Sequence, residues 1–304
     1  MNNEVASRLK SLGLAIALLL SAGTLPAEEP RNPKTVDQLI VIGSRPIEAK
    51  VVEEAATPFI HSHSVPGRVS GQIARWKTGI CPLTRGLPPA YDSFITQRVR
   101  VVAQSVGAPV DEKTPCRPNI EIIFTTEPQQ LLDEVVRDHE FLLGFHWTAQ
   151  TKKLSTVSRP LQAWYVTATT SKDGVETLDD QQELLNGRGP SPGLGSRLFG
   201  GTTSAIVHVL IVADTAKLVG YTIGSISDYV ALLALSQART LDECSELPSI
   251  LDLMTTCADN ARPESVSNVD TAYLKALYRI DMHDTLFFQQ TEINVQMIKE
   301  LEGR

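Results

Sequence analysis

The sequence predicts an α+β fold: a mixed sheet with packed helices, preceded by a signal peptide and an extended N-terminal arm. Three observations carry this reading. Apart from His208, residues Ala205 to Ala213 are Ile, Val, Leu and Ala, the composition of a strand covered on both faces. Two stretches with apolar residues at helical spacing, 90–106 and 128–139, flank the β-rich segment Ile120-Glu121-Ile122-Ile123-Phe124. The first 27 residues have the three-part polarity of an export leader.

Within that leader, Arg8 and Lys10 form a basic start, Leu12 to Leu20 an uncharged apolar run, and Pro26-Ala27 a small-residue exit before Glu28 and Glu29. The run falls well short of the roughly 18 to 20 apolar residues that span a bilayer, and no Cys follows it to carry a lipid. The expected product is therefore periplasmic or secreted, with no integral membrane segment after cleavage. Removing 27 of the 304 residues leaves 277, with 26 basic and 34 acidic side chains and a net charge of −8 with His neutral. A mildly acidic chain without a long basic run excludes nucleic acid and anionic membrane surfaces as expected partners.

From Glu28 to about Gly67 the chain is rich in Pro, Glu and short polar runs, and reads as an extended arm or linker (28–67). Its apolar island, Leu39-Ile40-Val41-Ile42, reads as a lone strand stopped by Gly43-Ser44-Arg45-Pro46. The α+β domain occupies 68–304. Ile80-Cys81-Pro82 is a short strand or turn, and Gly86-Leu87-Pro88-Pro89 a loop. Ala90 to Val106 is an amphipathic helix ending at Gly107; Ile120 to Phe124 is a strand; Pro128 to His139 is a second helix. Ala163 to Thr169, aromatic and β-branched, is a strand. Residues 171–201 form a long polar, then Gly/Pro-rich loop, the place where two lobes would part. After the Ala205–Ala213 strand, Gly220-Tyr221-Thr222-Ile223 is expected as a short strand. Ser225-Ile226-Ser227-Asp228 then reads as a capping-box variant opening an apolar helix, Tyr229 to Gln237. The tail, Asp270 to Leu301, reads as two helices broken near Asp281, the second with a stripe of Leu286, Ile293, Met297 and Leu301 that packs on the domain or binds a partner.

The four cysteines, Cys81, Cys116, Cys244 and Cys257, all follow the leader, and an even count in an oxidising compartment favours two disulfides. Three connectivities are possible. Local pairing, Cys81–Cys116 and Cys244–Cys257, closes the shortest loops and is the one expected. No two cysteines have the close C-x₂₋₄-C spacing of a structural zinc site.

Gly189-Pro190-Ser191-Pro192-Gly193 fits the G-x-S-x-G pattern of hydrolases, yet Pro192 lacks the backbone N–H that the motif uses as an oxyanion donor. The glycines from Gly187 to Gly201 match neither dinucleotide nor P-loop spacing. Among the histidines, His61 and His63 would share one side of an extended chain as a weak chelate, and Asp138-His139-Glu140 with His146 is the nearest carboxylate–imidazole cluster. Neither makes a convincing ligand set, so no metal and no cofactor is expected. His208 interrupts the buried strand, with Asp214 at the strand's end and Asp228 at the next helix. These three are the weak catalytic candidates, since a buried imidazole beside a carboxylate is an acid–base arrangement.

Val36 to Arg45 resembles, over ten residues, the opening of the plug in TonB-dependent outer-membrane receptors, which implies an envelope setting. Arg75-Trp76, Cys81-Pro82, Gly86-Leu87, Cys116-Arg117-Pro118-Asn119 and the Asp228-Tyr229 helix are similar to a family of uncharacterised exported alphaproteobacterial proteins. That likeness covers most of the mature chain and brings no activity. The order of strand, apolar helix and Leu247-Pro248-Ser249-Ile250 resembles a zincin-like family of unknown function, whose helix bears a His-Glu pair where this one has Ser227-Asp228-Tyr229. The expectation is an exported, non-catalytic binding or structural module, with an envelope protein as a possible partner. The alternative is a hydrolase related to a degenerate metallopeptidase-like fold.

Overall fold

The computed structural model describes residues 49–181, 185–187, 201–238, 244–245, 247–255 and 263–303. The expected leader, the Leu39–Ile42 strand and the Gly189–Gly193 motif lie outside them.

The centre is a six-stranded mixed sheet in the order β2-β3-β6-β4-β5, comprising β2 (Pro82–Arg85), β3 (Ile120–Thr125), β6 (Thr203–Asp214), β4 (Leu161–Thr170) and β5 (Glu176–Leu178). A two-residue β1 (Arg75–Trp76) pairs with the start of β6. The pairs β2–β3, β3–β6 and β1–β6 are parallel, while β4 runs antiparallel to both β6 and β5. Parallel neighbours need a crossover. Helix α2 (Pro89–Ser105) supplies it between β2 and β3, and a Cys81–Cys116 disulfide joins the chain before β2 to the loop before β3. Asn119 reinforces the junction: its side chain accepts from the Cys81 N–H at 2.7 Å and donates to the Gly79 carbonyl at 3.1 Å. Cys244 is disulfide-bonded too; its expected partner, Cys257, lies outside the described residues.

Strand β6 is buried on both sides, as its composition predicts, and separates two cores. Val209, Ile211 and Ala213 face the larger one with α2 and α5 (Ile223–Leu235). Leu210 and Val212 face a smaller one with Trp164, Leu132, Val135, Leu142 and Leu143. Ile206 also belongs to the larger core, although three residues from Val209 it should face the other way. The register shift opposite Val166/Thr167 resolves this: Val166 pairs with His208 and Thr167 with Ile206, leaving Val207 as the extra residue of a bulge. The smaller core is closed by α3 (Pro128–His139) and the 3₁₀ turn Glu140–Leu143.

Helix α5 is buried from Ser225 to Leu235. It starts earlier than its sequence suggests. Thr222 is the cap, its hydroxyl accepting from the Ser225 N–H at 3.1 Å, so Gly220–Ile223 is turn and helix entry, not a strand. Ser225 and Ser227 instead donate backward to the Thr222 and Ile223 carbonyls, as serines inside helices do. At the other end a buried helix must satisfy its last carbonyls. Ser236 donates to Leu232 O, Tyr165 to Leu233 O, the Trp76 indole to Ala234 O and Tyr278 to Leu235 O. Side chains from β4, β1 and the end of α6 (Asn268–Leu277) thus converge on one helix terminus.

The described part of the arm differs from extended chain. Residues Ala49–His63 form a helix, α1, packed against the C-terminal helix α7 (Leu286–Leu301). Its apolar residues Val52, Ala55, Ala56, Phe59 and Ile60 recur at three- and four-residue intervals and are buried; the Pro, Glu and polar residues between them mask that period. On α7, Ile293 and Met297 of the expected stripe are fully buried, and Leu286 and Leu301 pack on the core edge. None of the described helices is long and apolar enough to cross a membrane.

Candidate functional site

The three catalytic candidates do not meet. His208 is buried on β6, and Asp214 lies six residues further, about 20 Å along a strand rising roughly 3.3 Å per residue. Asp214 caps the 3₁₀ turn Thr215–Leu218, accepting from Ala216 N, and pairs with Lys217 at 3.1 Å. Asp228 is committed elsewhere: Arg98 of α2 grips both its oxygens, and it accepts from Val266 N at 2.9 Å. Neither nitrogen of His208 has a hydrogen-bond partner, and the nearest carboxylate, Glu121, is 3.9 Å from Nε2. This imidazole is stranded, not poised.

His61 and His63 do not form a chelate either, because helical spacing turns them apart. His61 is exposed on α1. His63 is fully buried, stacked on Phe59 with ring centroids 3.8 Å apart, with Tyr273 edge-on. Burial holds its pKa down to about 4.

The cluster at Glu140 and His146 does assemble. It lines a cleft of about 360 Å³ with Phe141, Gly144, Thr148, Val166, Leu178, Asp179, Asp180, Gln181 and Leu185. The chain reaches this position because α3 ends at His139 and the 3₁₀ turn stops at Gly144, whose φ is 75°. A Cβ there would lie 2.0 Å from Tyr165 O, so only glycine lets the loop press against β4. Two residues on, His146 Nδ1 sits 2.7 Å from Gly144 O. A carbonyl only accepts, so Nδ1 carries a hydrogen. His146 Nε2 lies 3.3 Å from Glu140 Oε1. Glu140 also accepts from Thr151 Oγ1 at 3.2 Å. The pair stands at the cleft wall, with His146 largely buried and Glu140 half exposed.

Across the cleft, β5 brings in Asp179 and Asp180. Asp179 is buried and accepts from Thr167 Oγ1 at 2.5 Å and Thr169 Oγ1 at 2.7 Å. Burial pushes its carboxyl above the usual range, against the pull of these bonds. Among the described residues no Lys or Arg lines the cleft. Val166 lines it, and His208 is the cross-strand neighbour of Val166. Among the described residues no three His, Cys, Asp or Glu side chains gather as a metal ion requires. His139 turns away onto Phe141, and Asp138 pairs with Arg137.

Sequence spacing pointed at Glu140 and His146 but not at Asp179, Asp180, Thr167 or Thr169. The two strands that align them are joined through a polar turn whose residues carry no chemical pattern of their own. No family model, curated protein or solved structure matches the chain.

Proposed function

We propose that this protein is an exported envelope module that binds a small cationic, amine-bearing ligand and carries out no chemistry on it. The observation behind this reading is the composition of the cleft. Glu140, Asp179 and Asp180 are among its described lining residues, which include no Lys or Arg, while Phe141 and Val166 offer apolar surface. A cavity of about 360 Å³ is in the range of small-molecule sites. Carboxylates accept from ammonium donors, and an aromatic ring adds favourable contact with a cation. Cys81–Cys116 fits folding outside a reducing compartment.

Titration calorimetry with spermidine and with arginine tests this. Saturable binding that weakens with salt is expected, lost in Glu140→Gln/Asp180→Asn with no change in melting midpoint. Equal binding by the double variant, or preference for an anion such as citrate, would overturn it. The hydrolase alternative rests on His208, Asp214 and Asp228. Zinc that copurifies with the protein and is lost in His208→Ala would favour that reading.

A further inference from the structure

A second recess of about 490 Å³ lies between α1 and α7, lined by Thr57, Ile60, His61, Leu286, Phe287 and Val295, with Gln290, Thr291 and Asn294 along it. Two of its lining residues are large apolar side chains left in solvent: Phe287 is 70% exposed and Val295 45%. Phe287 and Phe288 touch edge-to-face at 5.4 Å. The two helices run antiparallel, since Asn294 donates to Thr57 near mid-helix and Gln290 to Ser64 beyond the end of α1.

We infer that this groove is the docking site of the chain's own segment Leu39-Ile40-Val41-Ile42. The segment is the apolar island of an otherwise polar stretch, and the chain that carries it enters the structure at Ala49, the first residue of α1. From Ala49 the groove residues Thr57 to His61 lie about 12 to 18 Å away along a helix rising roughly 1.5 Å per residue. The seven residues from Ile42 to Ala49 reach up to about 23 Å at roughly 3.3 Å each. Gly43-Ser44-Arg45-Pro46 supplies the turn chemistry that a reversal onto α1 needs. Docking would remove four aliphatic side chains and the exposed Phe287 and Val295 from water together, where neither group has another described cover. A short tether raises the local concentration of the segment over any free partner. The groove's occupant is thus the chain itself, and a competitor for the groove must carry an aliphatic run of similar length.

Hydrogen exchange on the purified protein carrying residues 39–42 tests this. Amides 39–42 are expected to exchange at least about tenfold more slowly than unprotected chain, at any protein concentration. In Phe287→Asp/Val295→Asp they should return to the unprotected rate while β6 stays protected. Unprotected amides in the wild type, or protection that survives the double variant, would overturn the inference. So would protection lost on dilution, which means a second copy fills the groove. A photoreactive benzoylphenylalanine at position 287 gives an independent reading. Cross-links within one chain to residues 39–42 support docking, whereas cross-links between chains, or to lipid, contradict it.

Discussion

At the scale of single residues, buried polar atoms of this structure depend on specific partners. Each of the last carbonyls of α5 has its own side-chain donor, so losing one donor strands a buried acceptor. Trp76→Phe keeps the ring and removes the indole N–H from Ala234 O; it should cost about 1 to 3 kcal/mol in denaturant melts. Tyr165→Phe should cost a similar amount through Leu233 O. Two buried titratable groups pull stability in opposite directions with pH. His63, held down to about 4 against 6.5 in the unfolded chain, is protonated more readily when unfolded. Its contribution is lost as pH falls from about 6.5 toward 4, by roughly 3 kcal/mol at most. Asp270 accepts from Ser249 Oγ, Ile250 N and Ser267 N, and burial still raises it to about 6 from 3.8. It holds its proton more tightly when folded, so stability is lost as pH rises from about 4 through 6, again by roughly 3 kcal/mol. The windows overlap and their slopes oppose. Stability of His63→Phe should fall between pH 4 and 6, that of Asp270→Asn should rise between pH 4 and 6.5, and the wild type should be flatter than either. Identical pH profiles for the two variants would contradict this account.

At the scale of elements, the parts legible in the sequence are those whose signal is local. The strand at 120–125, the helices at 89–105 and 128–139 and the apolar β6 follow from periodicity over a few consecutive residues. Helix α1 was hidden because its apolar stripe is shared with Pro58 and a run of polar residues, and its packing partners, Tyr273 of α6 and the helix α7, lie more than two hundred residues away. Asp228 illustrates the same limit. At a helix start it looks available for chemistry, yet Arg98 from α2 neutralises it, a partner 130 residues distant that no spacing rule connects. The pair locks α2 to α5 and both side chains are largely buried. Asp228→Asn or Arg98→Met should therefore cost about 3 to 5 kcal/mol, with the double change Arg98→Met/Asp228→Leu costing less than either, as a double-mutant cycle would read. A catalytic Asp228 predicts the reverse pattern: lost activity at nearly unchanged stability. The Cys81–Cys116 bridge spans 35 residues. Its removal in Cys81→Ala/Cys116→Ala should lower stability by about 3 to 4 kcal/mol, chiefly through the freedom gained by the unfolded chain.

At the scale of the whole molecule, two cores share one central strand, and the cleft lies on the side of the smaller one. That asymmetry suits a binding module. The larger core, with α2, α5 and α6, fixes the sheet, while the loop 140–148 and the β4–β5 edge are free to present polar groups. Of this site the sequence showed one wall. Glu140 and His146 are close in sequence and could be seen together, whereas the opposite wall depends on β5 pairing with β4. His208 drew notice because it breaks an apolar run, but an interruption in a pattern says that a residue is unusual, not what it faces. The histidine ring signals of the purified protein, followed by NMR during titration with spermidine, test the central claim most directly because His146 and His208 report on the two rival sites. The account predicts that His146 shifts saturably, that His208 moves little, and that Glu140→Gln/Asp180→Asn abolishes the response. A response confined to His208, or an unchanged His146 at saturating amine, would contradict it.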